Sequence, residues 1–357
     1  MVEALAAHPS AKVVVVDDGS DDDTAQLANS TDRERVTVLR RLLPDARQGK
    51  GPALNEGFAH VLAGVERMGA DPRRVIICVI DADGRLSPGA VPEVLRLFAD
   101  PEVGGVQLPV RISNRATLRT AYQDFEFWGV SALPQLARQR LGTTSLGGNG
   151  QFSRLSALLS IGAKPWTPSL TEDLDLAVSL MACGWRLAST PMAYVEQQAV
   201  TSLRRLVRQR TRWMQGHMTC AGRLRELWES DRLSNAAMVE VGSYLVTPIM
   251  LILPWSILFN AALLLSIKAL WSAPPWSVAG SDNLGRLVLV ALVRVVILAS
   301  VNQRRAVPPP LWTPKTAHLC VSSLVHPVSL RHVPRLLAGC PPDHARPRGL
   351  GQNGAGS

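Results

Sequence analysis

Short apolar runs that end in an acidic turn limit most strongly what this chain can fold into. Lys12 to Val16 is followed at once by Asp17-Asp18-Gly19-Ser20, and Val75 to Ile80 runs directly into Asp81-Ala82-Asp83. A helical pattern from Asp22 to Ala28 follows the first turn. Strand, turn and helix in this order predict a step of a parallel sheet, whose ligands collect at the carboxyl ends of the strands.

The first acidic turn has two interpretations. Asp17 and Asp18 stand where a nucleotide lies in such a sheet. Asp and Ser also cap helix N-termini, so capping of the following helix accounts for the same residues. The sequence leaves both interpretations open.

A second strand and helix place a lysine at a helix start. Val36 to Leu39 is the strand, and the stretch from Gly49 to Gly57 enters a helix that continues to about Met68. Small residues and Lys50 at a helix N-terminus suit a diphosphate. The pattern is not a P-loop, because the spaced glycines and the Ser or Thr after the lysine are missing.

The second acidic turn predicts a metal site. Asp81 and Asp83 are two residues apart in an extended segment, so their side chains face the same way. Two carboxylates and diphosphate oxygens are suitable ligands for Mg²⁺ or Mn²⁺. The structural alternative is an acidic turn that only closes the strand.

The net charge of +9 is concentrated at one end of the chain. From Gln303 onward there are seven Lys or Arg against one Asp, so most of the basic excess lies outside the region with the acidic turns. The five cysteines are scattered and lack metal-ligand spacing, which supports neither a disulfide framework nor a zinc site. We expect no nucleic-acid partner.

Ser202 to Arg225 predicts an amphipathic helix rich in arginine. Apolar residues recur at near-helical intervals, with five arginines between them: Arg204, Arg205, Arg208, Arg210 and Arg212. The pattern suits an anionic membrane surface. A nucleic-acid patch is the other interpretation, although the stacking aromatics that a single-strand binder uses are missing.

The following region is apolar enough to enter a membrane. Val241 to Ile267 can cross ~30 Å of hydrocarbon, and Arg286 to Val301 is a shorter candidate that contains Arg294. Basic residues outside both spans predict a hairpin with cytoplasmic ends. We divide the chain into an α/β domain with the acidic turns, 1–200, an interface-helix region, 201–235, a transmembrane region of one or two helices, 236–302, and a Pro/Arg/His-rich tail, 303–357.

Four motifs in a fixed order resemble those of a known family. They precede or border the apolar region: Asp17-Asp18-Gly19-Ser20, Asp81-Ala82-Asp83, Thr171-Glu172-Asp173 and Gln209-Arg210-Thr211-Arg212-Trp213. With Gly49 to Gly57, which matches G-K-x-x-A-L-N-x-G, they make the chain similar to membrane-embedded, inverting family 2 glycosyltransferases of the cellulose synthase and poly-N-acetylglucosamine synthase type. The resemblance implies an α/β GT-A fold with a mostly parallel central sheet, followed by transmembrane helices.

The resemblance also assigns roles. It implies that the nucleotide sugar is bound by Asp17, Asp18, Lys50, Asp81 and Arg212. It implies that the acceptor is bound by Glu172, Gln209, Trp213 and Arg154, and the metal by Asp81 and Asp83. Asp173 would be the general base that deprotonates the acceptor hydroxyl. The structural alternative for Thr171-Glu172-Asp173 is a helix start, where acids are ordinarily stabilising.

The implied function is transfer of a sugar from a UDP-sugar, of the UDP-glucose or UDP-N-acetylglucosamine class, to a saccharide or lipid acceptor. We expect it at the cytoplasmic face of the inner membrane, in a multi-pass protein. Q-x-x-R-W beside a span also suggests processive synthesis of a β-linked polysaccharide. The sequence leaves the donor sugar and the linkage open.

The two ends of the sequence motivate an alternative function. The strand with which the family's sheet opens is missing before Lys12, so we expect a sheet without its first strand. The stretch after Gln303 is interpreted as a disordered tail or as the translation of a shifted reading frame. The alternative is a catalytically impaired membrane remnant or binding protein of the same fold.

Overall fold

The computed structural model of the protein describes Leu5 and residues 11–30 and 34–272. The second candidate span, Arg286 to Val301, and the tail from residue 303 lie outside the described residues. So do most of the residues before Lys12, and the expected absence of a first strand therefore stays a prediction.

Strands and helices alternate through the first two thirds of the described chain. The strands are β1 Val13–Asp17, β2 Val36–Arg40, β3 Ile76–Val79, β4 Arg85–Leu86, β5 Val103–Gln107, β6 Val110–Ile112, β7 Gln151–Arg154, β8 Arg186–Ser189 and β9 Val195–Gln197. The helices of this part are α1 Thr24–Asn29, α2 Lys50–Arg67, α3 Ala90–Leu97, α4 Leu118–Asp124, α5 Ala132–Arg138, α6 Leu155–Ile161 and α7 Glu172–Ala182. A π-helical turn, Phe125–Ser131, joins α4 to α5.

The α/β fold is confirmed, but the central sheet is mixed. Its strand order is β3-β7-β5-β8, with β7 antiparallel to both neighbours and β5 parallel to β8. Strands β1 and β2 form a separate parallel pair, and β4, β9 and β6 form a third sheet. The expectation of a mostly parallel sheet was wrong for β7. A β-α-β crossover would have made this strand parallel to its neighbours, but β7 is instead reached through several helical segments and a loop.

Helices cover both faces of the central sheet. On one face the core consists of residues such as Leu155, Leu158, Leu176 and Leu180, which are wholly buried. On the other face α3 packs against β5, with Val94 and Val106 in the same cluster. Helix α7 is buried almost throughout, because apolar side chains line nearly its whole circumference. This packing fixes the N-terminus of α7, where Glu172 and Asp173 lie.

Four helical segments follow the sheets. They are α8 Leu203–Cys220, α9 Leu224–Trp228, α10 Asn235–Thr247 and α11 Leu253–Ser272, with a π-helical turn, Pro248–Ile252, between the last two. The predicted amphipathic helix is thus confirmed to Cys220 and then interrupted by a 3₁₀ turn, Ala221–Arg223.

The last two helices divide into a packed part and a bare part. In α10, Ala237, Val241 and Leu245 recur every fourth residue and are buried against the preceding α/β domain. From Met250 to Leu265 the large apolar side chains are exposed, apart from half-buried Leu263. Residues Asn235–Leu265 form one helix long and apolar enough to cross a membrane. It is the one such helix among the described residues, so this part of the chain does not support the expected multi-pass arrangement.

Candidate active site

The first acidic turn leaves one buried oxygen without a partner. Asp17 ends β1, and its Oδ1 accepts a hydrogen bond of 2.9 Å from the backbone N–H of Ser20. Hydrogen bonds from Ser20 lower the pKa of Asp17, so the carboxyl is ionised. Its Oδ2 is buried and accepts no hydrogen bond, although Arg40 Nε lies 3.6 Å away. A buried orphan oxygen of this kind suits a donor group of a ligand.

Asp18 is held by an arginine that the sequence analysis missed. The buried guanidinium of Arg41 donates to Asp18, to Glu56 Oε2 at 2.7 Å and to the carbonyl of Asp45 at 2.6 Å. Two carboxylates therefore neutralise a charge that would be costly to bury alone. Arg41 directly follows the end of β2, and this position at a strand end was the available signal.

Lys50 connects two of the predicted motifs. It begins α2, and its Nζ lies 2.5 Å from Asp81 Oδ1 and 3.8 Å from Glu172 Oε1. The same Nζ also donates a hydrogen bond to the carbonyl of Gly148 at 3.4 Å. The two carboxylates are far apart in sequence, yet one ammonium group joins them. Such a centre of positive charge also suits a diphosphate.

Asp81 and Asp83 follow β3 and are held by two different loops. Asn149 Oδ1 accepts from the backbone N–H of Asp81 at 3.2 Å, and the backbone N–H of Gln198 donates to Asp83 Oδ2 at 3.1 Å. Among the described residues no group of three or more His, Cys, Asp or Glu side chains could hold a metal ion. Asp81 and Asp83 supply oxygen ligands of the kind that a divalent cation prefers, and the contact of the Lys50 ammonium with Asp81 shows that a cationic group can lie against this carboxylate.

Glu172 and Asp173 form the acidic N-terminus of α7. Burial raises the pKa of Glu172, and the charge of Lys50 opposes the rise. Desolvation and the neighbouring Glu172 raise the pKa of Asp173 to about 7. Gly148 closes this side of the site at a φ of +75°, and a Cβ there would lie 2.9 Å from Asp173 Oδ2. Asp173 therefore combines a near-neutral pKa with a confined position, as a general base requires.

Helix α8 brings the last motif to the same place. A Cβ on Gly216 would lie 2.5 Å from Thr171 Cγ2, so α8 packs closely against the start of α7. The positive charge of Arg212 lowers the pKa of Glu172 and so opposes the rise that burial causes. The exposed Arg212 side chain therefore lies near these acids.

Trp213 is partly buried beside the site in a cluster of aromatic and charged side chains. Its ring lies edge-on to Phe127 at 5.9 Å, and the Arg210 guanidinium sits 4.1 Å from its ring centroid. Arg210 in turn donates to Gln209 Oε1 at 2.9 Å and pairs with Glu126 at 2.6 Å. The sequence analysis missed that Arg210 and Glu126 support the Trp213 ring. For Arg210 the available signal was its position inside the Gln209–Trp213 motif.

The structure does not bring Arg154 to this site. Its guanidinium donates to the carbonyls of Val103, Arg73, Phe98 and Asp100 at 2.5–3.1 Å. In β7 Gln151 pairs with Val79, near the acidic turn, whereas Arg154 pairs with Ile76 at the other end of β3. The expected acceptor role fails because three residues of extended chain separate Arg154 from the site end of the strand.

Two amide side chains that the sequence analysis missed shape the loop around Gly148. Gln107 Nε2 donates to the carbonyl of Asn149 at 2.8 Å, and Gln107 Oε1 accepts from the N–H of Gly147 at 2.7 Å. Asn149 Nδ2 donates to Gln197 Oε1 at 3.0 Å. The Gly-rich run around Asn149 was the available signal.

Together the sheets, the acidic turns and the carboxylate–lysine cluster define a glycosyltransferase of the GT-A fold. The family model described as glycosyltransferase like family 2 matches residues 1–216. The chain belongs to this family.

Curated relatives agree with this assignment. The chain is 30% identical over 217 residues to a beta-monoglucosyldiacylglycerol synthase of Synechocystis sp., a match covering 57% of this chain and 41% of the relative. It is 26% identical over 208 residues to a poly-beta-1,6-N-acetyl-D-glucosamine synthase of Staphylococcus aureus, covering 57% of this chain and 47% of that protein. The match thus spans less than half the length of these relatives.

A solved structure supports the fold. The mannosyltransferase PcManGT from Pyrobaculum calidifontis, crystallised with GDP-Man and Mn²⁺, superposes with a TM-score of 0.53 at 18% sequence identity. The superposition covers 88% of this chain and 76% of that one.

Proposed function

We propose that this protein transfers a glucose-type sugar from a UDP-sugar to an acceptor hydroxyl, with inversion at the anomeric carbon. The observation that carries the proposal is the cluster in which Lys50 joins Asp81 to Glu172, next to Asp173 with its pKa of about 7. The names of both relatives describe synthases of β-linked glucose or N-acetylglucosamine products. A β-product is what a single inverting displacement gives from an α-linked donor.

In the proposed reaction Asp173 takes the proton of the acceptor hydroxyl. The acceptor oxygen then bonds to the anomeric carbon as the bond from that carbon to the diphosphate oxygen breaks, and the electron pair leaves with UDP. Lys50 and Arg212 neutralise charge on the diphosphate. The orphan Oδ2 of Asp17 accepts from an N–H of the nucleotide base.

We further propose that Asp81 and Asp83 hold Mg²⁺ or Mn²⁺ together with the diphosphate. When bound, the cation supplies positive charge against the departing UDP. Lys50, which lies against Asp81, would then share the negative charge of the diphosphate with the cation and with Arg212.

The acceptor is proposed to reach the site along α8. A groove of about 630 Å³ beside Trp213 is lined by Arg210, Thr211, Met214, Gln215, Met218 and Thr219. Although four of these six residues are polar, most of the surface that lines the groove is contributed by carbon and sulfur atoms. The exposed apolar helix α11 follows in the same chain, and together these features favour a lipid acceptor over a free saccharide. We place the site at the cytoplasmic face of the inner membrane, because nucleotide sugars are cytosolic; repeated transfer belongs to the same proposal.

The test compares the full-length protein with Asp173→Asn in detergent or vesicles. UDP-glucose and UDP-N-acetylglucosamine are each supplied with Mn²⁺ and either diacylglycerol or a β-linked oligosaccharide, and released UDP and glycosylated product are measured. We expect Asp173→Asn to lower transfer by at least about 100-fold while leaving UDP binding unchanged. Glu229→Gln, a change at an exposed acid outside the site, is the matched control.

Each outcome of this test has a definite meaning. Full transfer by Asp173→Asn would remove Asp173 as the base. Donor binding by the unaltered protein without transfer to either acceptor would favour the catalytically impaired alternative. Transfer to diacylglycerol alone would establish the lipid acceptor.

A further inference from the structure

A buried polar cluster lies where α5, α8 and α10 meet, and the proposed reaction does not use it. Arg138 Nε, at the end of α5, lies 2.7 Å from Oε1 of Glu240 on α10. The same guanidinium carbon lies 3.8 Å from the ring centroid of Tyr244. The Arg138 side chain is only 7% exposed. The Glu240 side chain is 24% exposed, and the guanidinium nitrogens make no hydrogen bond among the described residues, so the charge attraction to Glu240 and the ring of Tyr244 are what compensate the buried charge of Arg138. Together they hold α10 against α5.

Tyr244 is the member of the cluster with the most partners. Its ring centroid lies 4.7 Å from that of His217 on α8, and His217 Nε2 donates to the Tyr244 carbonyl at 3.0 Å. Burial lowers the pKa of His217, so the imidazole is neutral beside Arg138. The Tyr244 hydroxyl lies 3.4 Å from Ser145 Oγ. One side chain of α10 thus touches both α8 and the loop from Gly142 to Gly150.

Both contacts lead to walls of the candidate active site. His217 is one helical turn beyond Trp213 and directly follows Gly216, which packs against Thr171. Ser145 is held by Gln135 Nε2 at 2.6 Å, and three residues later Gly148 borders Lys50 and Asp173. A displacement of Tyr244 would therefore reach the acceptor wall through α8 and the general base through the loop.

We propose that Tyr244 is a positioning residue for the transfer reaction: it sets the distance between α8 and the Gly142–Gly150 loop. It does so from α10, the helix that leads into the exposed apolar segment. The inference rests on the proposed function and adds to it a residue outside the four sequence motifs. Tyr244 touches no substrate; it acts through His217 and Ser145. The aromatic ring carries most of the effect, since the hydroxyl contact is long.

The alternative is that Tyr244 only fills the core. Leu245, its neighbour on α10, provides the comparison, because it is wholly buried and its side chain has no polar atom. Leu245→Ala removes packing alone. Ser243→Ala changes an exposed position on the same helix and is the control for substitution itself.

The experiment measures transfer kinetics and backbone hydrogen exchange in the full-length protein. We expect Tyr244→Leu to lower kcat about 10- to 100-fold with the KM for the UDP-sugar unchanged, because a small misplacement of reacting groups is costly. Tyr244→Phe keeps the ring and should recover activity to within about threefold of the unaltered protein. Leu245→Ala should lower the melting temperature with kcat within about threefold.

Hydrogen exchange keeps the inference testable if no transfer is found. Tyr244→Leu should speed exchange in α8 and in the Gly142–Gly150 loop, while β1 and α2 stay as protected as before. Exchange that rises equally across the domain, or that matches Leu245→Ala, would overturn the positioning role. An equal loss of kcat in Tyr244→Phe and Tyr244→Leu would overturn the role of the ring. Absence of transfer in the unaltered protein would count against the proposed function alone.

Discussion

At the scale of single residues, Asp173 owes its chemistry to its surroundings. An aspartate in water has a pKa near 4, at which it is a weak base. Here desolvation and the adjacent Glu172 raise the pKa to about 7. The raised pKa makes the carboxylate a better proton acceptor and still leaves about half of it ionised at neutral pH.

This pKa predicts a pH profile. Because the proposed base Asp173 would act only when deprotonated, kcat/KM should rise as the pH increases through about 7 and then level off. Lys50 lowers this pKa, so Lys50→Gln should move the rise to higher pH as well as weaken donor binding. Lys164→Gln, at an exposed lysine, is the control and should leave the midpoint unchanged. A midpoint that falls in Lys50→Gln would contradict the assignment.

Arg154 gives the opposite kind of prediction. Arg154→Met leaves four buried or half-buried carbonyls without their donor, so we expect the free energy of unfolding to fall by about 2–4 kcal/mol. Urea denaturation measures the loss, and Arg73→Met, an exposed neighbour, serves as the control. The acceptor KM of the folded variant should not change. A large rise in that KM at unchanged stability would restore the acceptor role.

Asp173 and Arg154 show what the sequence could and could not predict at this scale. Asp81, Asp173 and Lys50 lie in motifs whose spacing places them at strand or helix ends, and the structure brings them together. Arg154 also follows a Gly-rich stretch, but its position depends on how far β7 runs along β3. That register is a long-range property and has no local signal.

At the scale of secondary structure, the close packing of α8 on α7 joins the proposed acceptor side to the proposed general base. Gly216 permits it, because any larger side chain would press on Thr171. Gly216→Ala should therefore displace α8 and lower kcat/KM about tenfold, with a stability loss of about 1–3 kcal/mol. Gly222→Ala is the matched control, since a Cβ there meets no atom within 4 Å. Equal activity of both variants would show that the contact is irrelevant to transfer.

Elements were easier to predict than their arrangement. Apolar periodicity located β1, β2, β3, α2 and α8 to within a few residues, because each pattern is local. The direction of β7 and the division of the sheets depend on contacts between distant segments. The same limit hid the Arg138–Glu240 pair, whose members are about a hundred residues apart and follow no motif.

At the scale of the whole molecule, α10 and α11 connect the α/β domain to the membrane that the sequence predicts. The buried residues of α10 pack it on the preceding α/β domain, whereas most of the large apolar side chains between Met250 and Leu265 are exposed. Twenty residues of α11 span about 30 Å, the thickness of the hydrocarbon layer. Exposure of so many apolar groups to water would be costly, and a bilayer removes that cost.

This argument predicts where a charge is tolerated. Leu258 is 63% exposed near the middle of the bare part, and an arginine at this depth costs about 2.5–3.5 kcal/mol on insertion. Leu258→Arg should therefore reduce the fraction of protein that floats with lipid vesicles in a density gradient. Leu95→Arg, on the exposed side of α3, puts the same charge on the catalytic domain and should float like the unaltered protein. If Leu258→Arg floats equally well, the bare helix is covered by protein rather than lipid, and the site must be placed at the membrane by some other part of the chain.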